Sequence, residues 1–194
     1  MLFSWDVRVC ALTEIVDALV SGTLPSLGRC VGISFDDGSN FDFFDLPHPV
    51  WGTQPSMFSL LRDMGEARSK STSEATSFVV VSPVARIELD GYCMVGEQWW
   101  SDEWWSPAEA SGLLRIESHS WDHNHERVSS AVCDAPRGTF DLMTDLDADR
   151  EIADANPYLC HRRGRKGPTL FAYPYGRANS FLAKDYFPRG TDIQ

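Results

Sequence analysis

Along this chain, short apolar runs alternate with stretches in which apolar side chains recur every three or four residues. Leu12–Gly22, LTEIVDALVSG, puts Ile15, Leu19 and Val20 at helical spacing and closes on glycine, which predicts a short amphipathic helix. Arg29–Phe35, RCVGISF, is apolar and β-branched and stops at DDGSN, as a buried strand running into a turn does. Pro55–Gly65 carries Met57, Leu60, Leu61 and Met64 as one helical face, and Thr76–Val81, TSFVVV, is a second buried strand ended by Ser82-Pro83. Ser106, Pro107 and Glu109 read as N-cap, first helical residue and capping-box partner of a third helix. Leu113–Ser118 is a third strand, Asp145–Pro157 an acid-rich helix halted by proline, and Thr169–Tyr173 a fourth strand. The order α-β-α-β-α-β-α-β, with connections long enough for crossovers, predicts an α/β fold, a parallel sheet or barrel with outer helices. With no repeat or linker in view, residues 1–194 are expected to form one domain.

Composition narrows the functions. A net charge of −11, from 17 basic and 28 acidic residues, argues against a partner bound through nucleic-acid phosphates. The one basic run, His161–Lys166, is flanked by Gly164, Gly167 and Pro168 and reads as an exposed loop. No apolar run approaches the ~18 residues of a membrane span, so no membrane partner is expected. The N-terminal segment is acidic where a secretory leader would be basic. Five scattered cysteines without a CxxC pair suit a reducing compartment, and together these features lead to the expectation of a cytoplasmic protein.

The chemistry-bearing residues gather at strand ends. The first strand ends at Asp36-Asp37-Gly38, the third at His119-Ser120-Trp121-Asp122-His123, and the fourth at Tyr173-Pro174-Tyr175-Gly176. In parallel α/β architectures the loops at the carboxyl ends of strands converge on one rim, where ligands bind. The i, i+4 spacing of His119 and His123 would lay both imidazoles on one side of a helical turn. Two imidazoles and one carboxylate make a three-ligand set for a divalent ion: zinc by default, with iron, cobalt or nickel also accepted. Adjacent aspartates serve equally as turn caps, but as a buried pair they call for a cation or a proton.

ISFDDG, SHSWDH and FAYPYG, in this order and at these separations, resemble the three leading motifs of the polysaccharide deacetylases. These are the metal-dependent chitooligosaccharide and peptidoglycan deacetylases of carbohydrate esterase family four. The likeness extends from about Leu12 to Phe187 and includes the ATSFVVV strand. It implies a distorted (β/α) barrel of fewer than eight strands. It implies metal ligands Asp37, His119 and His123, a general base in Asp36, and an oxyanion donor in the Tyr175 N–H. Pro174, Tyr173 and Trp121 would stand on the substrate side of the site. The reaction would remove an N-acetyl group from an amino sugar or polysaccharide.

Two departures accompany the likeness. Ala172 stands where the family carries an arginine that orients the base, and the chain ends at Gln194 without a fourth motif or the fifth, which supplies an acid histidine. His125 and His48 are the remaining candidates for protonating the leaving amine, each read as a surface residue. An incomplete barrel edge would mean either that the chain is a fragment of a longer product or that neighbouring copies of the chain, in a homo-oligomer, cover the gap. The aromatic runs QWWSDEWW and FDFFDLPHPVW could stack on sugar rings or form a rim over the site. Two other functions share these residues: hydrolysis of a small non-sugar amide or imide, and metal and glycan binding without catalysis.

Overall fold

Arg8–Val9 (β1) and Cys30–Val31 (β2) pair in parallel across helix α1, Leu12–Val20, in a small β-α-β unit. The chain then passes so close to α1 that a Cβ at Gly32 would meet Leu12 and Ile15 at 3.1 and 3.2 Å. The strand expected over Arg29–Phe35 therefore divides: β2 ends, and Ser34–Phe35 (β3) joins a different sheet. Leu46–His48 (β4) and Gly52–Gln54 (β5) form an antiparallel hairpin. Helix α2, Met57–Arg68, follows. Of its four expected core residues only Leu61 is buried; Met57 and Leu60 are exposed, and Phe58 packs inward instead.

The sheet that carries the site is built on Ala75–Val79 (β6), buried at every position because the sheet is covered on both faces. Its order is β3-β6-β7, all parallel, with β7 at Leu114–Ser118. The expected fourth strand is reduced to one bridge, Ser118 to Phe171, before Pro174 removes a donor; Thr169 lies outside the described residues. The computed structural model describes residues 7–68, 74–130, 132–167 and 170–189, with no side-chain detail for 66–68.

Between β6 and β7 lie two helices rather than one. Ser82-Pro83 ends the strand as expected and also opens α3, Pro83–Cys93: the Ser82 hydroxyl accepts from Ala85 N–H and Pro83 takes the first helical position. Helix α4, Trp105–Ser111, starts two residues earlier than the capping box would place it, with Trp104 rather than Ser106 at the N-cap. Burial of Trp104 and Trp105 fixes its entry, and Glu109 accepts from Ile116 N–H and pairs with Arg165 instead of capping. These tryptophans, with Val79, Val81, Ile116 and Leu159, make the larger core.

The acid-rich segment is also not one helix halted at proline. Thr144 caps Asp145–Ala148 (α5), a π-helical turn covers Asp149–Ala153, and α6 runs Ala155–Arg163. Pro157 sits in the first turn of α6, where its missing N–H breaks no intrahelical bond. The basic run is not an exposed loop. Arg163 is buried and Arg165 partly so, facing Glu117 of β7 at 3.6 and 3.0 Å, while Arg162 pairs with Asp102. A fully buried carboxylate in mid-strand requires cations, and the run supplies them.

Gly38, at φ +74, packs directly on β6: a Cβ there would stand 2.3 Å from Val79 Cγ1. Gly96 has a similar φ of +78 but open space around it. Gly38→Ala should lose roughly 2–5 kcal/mol, adding overpacking to left-handed strain, against roughly 1–2 kcal/mol for Gly96→Ala. Urea unfolding followed by circular dichroism measures both, and equal losses would contradict the packing account.

Candidate metal centre

Three loops leave the carboxyl end of one parallel sheet and meet across the end of β6. Asp37 follows β3, His119 and His123 follow β7, and Tyr175 follows the bridged residue Phe171. Asp37 Oδ1 lies 3.7 Å from His119 Nε2 and 3.9 Å from His123 Nε2. One ligand atom from each of the three residues falls within 4.8 Å of the others.

The histidines do not share a helical face. Ser120 and His123 have φ of 70° and 65°, so the segment is a tight loop that folds back to bring the imidazoles to 4.8 Å. The Ser120 hydroxyl accepts from His123 N–H, and Trp121 N–H donates to the Glu151 carbonyl in the π-helical turn. Asp37 and Tyr175 are likewise left-handed, at 71° and 59°. Such backbone costs of order 1–3 kcal/mol per residue and persists only where its surroundings hold it.

The donor atoms fit a metal ion on three counts. Separations of 3.7 and 3.9 Å are too long for hydrogen bonds but suit two ligands each about 2.0–2.2 Å from one ion. His119 Nδ1 is 2.9 Å from the Ala172 carbonyl, which can only accept; Nδ1 is therefore the protonated nitrogen and Nε2 offers a lone pair toward Asp37. His123 is held neutral, its pKa pushed down to about 3 by burial and by the neighbouring His119 and His125. The Nδ1 of His123 is buried with no hydrogen-bond partner among the described residues. Burial, helped by the charge of Asp36, raises the pKa of Asp37, against the pull of His119.

The remaining residues divide by position. Asp36 is exposed beside Asp37. Pro174 is buried, and the Tyr175 ring packs on His123 at 4.4 Å, burial pushing its hydroxyl up to about 12. Tyr173 packs away from this cluster, on Phe171 and Phe187, and Trp121 turns into the main core against Tyr158. His48 belongs to the β4–β5 hairpin.

A cavity of about 130 Å³ opens beside the ligands, lined by Asp37, His123, Tyr175, Cys93, Trp100 and His125 over Val80 and Leu89. His125, half-buried, is therefore a surface residue that also lines the site; its Nε2 lies 3.7 Å from Cys93 Sγ. The contribution of α3, Leu89 and Cys93, is not evident from the sequence pattern, because Ser82-Pro83 ends a strand and opens a helix at the same point. Trp100 Nε1–H donates to the Asp37 carbonyl at 3.0 Å, fixing the loop from outside.

Burying His123 as a neutral group has a signed consequence. Its folded pKa lies below the unfolded 6.5, so the unfolded chain binds the proton first as pH falls. The metal-free protein should lose stability from about pH 6.5 down toward about 3, and His123→Asn should flatten that part of the curve. Thermal melts across this range in the presence of a chelator measure it; equal slopes would contradict a buried neutral imidazole.

The family model for polysaccharide deacetylase matches residues 25–186. IcaB from Ammonifex degensii is similar over 94% of this chain and 66% of its own, with 22% identity and a TM-score of 0.58. A de-N-acetylase from Aggregatibacter actinomycetemcomitans is similar over 98% and 71%, with 19% identity and a TM-score of 0.58. A polysaccharide deacetylase from Bacillus cereus is similar over 95% and 56%, with 14% identity and a TM-score of 0.52. The chain thus spans just under two thirds of IcaB and just over half of the Bacillus cereus protein. No curated protein matches it. At these identities the structures share the fold, a distorted (β/α) barrel. With the family match covering most of its length, the chain belongs to the polysaccharide deacetylase family.

Proposed function

We propose that this protein is a metal-dependent hydrolase that removes N-acetyl groups from an amino-sugar polymer. The observation that carries the reading is the convergence of Asp37 Oδ1, His119 Nε2 and His123 Nε2 on one point, beside a cavity at the carboxyl ends of parallel strands. Asp37, His119 and His123 would hold a divalent ion, zinc by default, with cobalt, nickel or iron compatible with the same donors. Such an ion, when bound, supplies Lewis acidity toward water and the acetamide carbonyl.

The chain's own groups supply the rest. Asp36, exposed next to Asp37, accepts a proton from the attacking water. Tyr175 N–H stands in the first turn of the Pro174–Gly176 segment, where amides lack an intrahelical acceptor, and donates to the developing oxyanion. Tyr175 and His123, packed ring to ring, narrow the cavity to a small acyl group. His125, which also lines the cavity, is the side chain available to protonate the leaving amine. The products are a free amine and acetate.

The same reading takes a carbohydrate as partner. Among the described residues no helix is long and apolar enough to cross a membrane. The five cysteines are all unpaired, which supports a reducing compartment.

Asp36→Asn should lower kcat/KM for acetate release from N-acetylated oligosaccharides by about 100-fold or more while metal content stays as in the wild type. Activity that survives the substitution would remove Asp36 as the base. Turnover of small amides with none of acetylated sugars would overturn the substrate class.

A further inference from the structure

The four tryptophans of Trp99–Trp105 do not share one role. Trp104 and Trp105 are fully buried in the main core, and Trp100 packs in the cluster under the cavity. Trp99 is only half-buried and packs on the half-buried Phe41, ring centroids 5.5 Å apart and nearly perpendicular. Phe41 lies 6.4 Å from His48, and His48 lies 6.4 Å from Trp51, which is 72% exposed at the tip of the β4–β5 hairpin. None of the three core clusters takes in Phe41, His48, Trp51 or Trp99.

These four rings form a ribbon whose inner end, Trp99, is joined to the site through the backbone. Trp99 is followed in sequence by Trp100, the cavity wall that holds the Asp37 carbonyl. Its own carbonyl accepts from Asn40 N–H at 2.9 Å, three residues beyond Asp37. The outer end is fixed as well: His48 Nδ1 accepts from both Val50 N–H and Trp51 N–H, at 3.1 and 3.2 Å, locking the turn under the Trp51 ring. Half-buried and exposed rings carried on a backbone tied at both ends are partly preorganised for a ligand, since the loop that bears them has less ordering entropy to lose on binding.

We propose that Trp99, Phe41, His48 and Trp51 form a binding track for the sugar units that flank the acetylated residue in the cavity. The substrate is then an extended, uncharged glycan chain, not a monosaccharide or small amide. Pyranose rings present an apolar face and a hydroxyl edge, the complement of half-exposed aromatic rings with a polar border. A chain with net charge −11 offers no comparable welcome to a polyanion. The proposal rests on the glycan deacetylase reading for the residue in the cavity, but its binding surface is testable apart from activity.

The test is a calorimetric titration with N-acetylated glucosamine oligomers of one, three and six units, on wild type, Trp51→Ala and Trp99→Ala. Affinity should rise with length in the wild type. Trp51→Ala should weaken the hexamer by roughly tenfold and leave the monomer unchanged, and Trp99→Ala should weaken trimer and hexamer alike. Trp51 lies at an exposed tip, so its variant should keep the wild-type melting temperature; Trp99→Phe, which retains a ring, should restore most of the affinity lost in Trp99→Ala. Wild-type hexamer binding in both alanine variants would overturn the track. Self-association abolished by Trp51→Ala, with no length dependence toward sugars, would also overturn it and assign the hairpin to a contact between copies. Length-dependent binding without acetate release from any oligomer would sustain the track and count against the catalytic reading alone.

Discussion

The site depends on backbone hydrogen bonds that continue past the carboxyl end of β6. After Val79 the strand pairing ends, yet Val80 N–H donates to the Asp37 carbonyl, Val81 N–H to Ser120 and Ser82 N–H to Trp121. His119 N–H donates back to Val79, and on the far side of β7 Ala172 N–H donates to Ser118. The central segment thus holds the first-motif loop on one side and the histidine loop on the other, and β7 holds the third. Each loop is irregular, but each is tied by backbone hydrogen bonds to a buried strand of the central sheet, β6 or β7.

That tie allows the strain to persist. Of the six non-glycine residues with left-handed φ among the described residues, all but Gln98 belong to the three loops: Asp37, Ser120, His123, Asn124 and Tyr175. Left-handed backbone turns Asp37 and His123 toward each other, and the same turn buries His123 deeply enough to keep it neutral. A carboxylate and two imidazole lone pairs then face one point, held by the scaffold before any ion arrives. Ala172 fits this arrangement through its carbonyl, which fixes the tautomer of His119, a contact that needs no particular side chain.

Much of this was legible in the sequence, and the illegible parts share a cause. β6 was visible because Phe78–Val81 is an unbroken apolar, β-branched run, and β7 because Leu114 and Ile116 alternate with Arg115 and Glu117 just after Gly112. The gathering of the three motifs at one rim followed from strand order alone. The helical turn inferred for His119 and His123 failed because i, i+4 spacing says nothing about φ, and Ser120 and His123 adopt a conformation that no periodicity announces. The Ser106 cap failed because burial of two tryptophans outweighed a hydroxyl. Reading Pro157 as a stop overlooked that a π-helical turn can restart the helix and place proline in a harmless first turn. The basic run looked like a solvated loop because its partner, Glu117, lies far off in sequence.

The central claim is that the fold assembles Asp37, His119 and His123 into a site that takes up a divalent ion. Elemental analysis of the purified protein, beside His119→Ala, tests this most directly. The account predicts about one equivalent of zinc or a similar divalent ion in the wild type, absent from a variant that keeps its circular dichroism spectrum. A well-folded wild type that holds no ion, and takes up none on addition of zinc, cobalt or nickel, would contradict it.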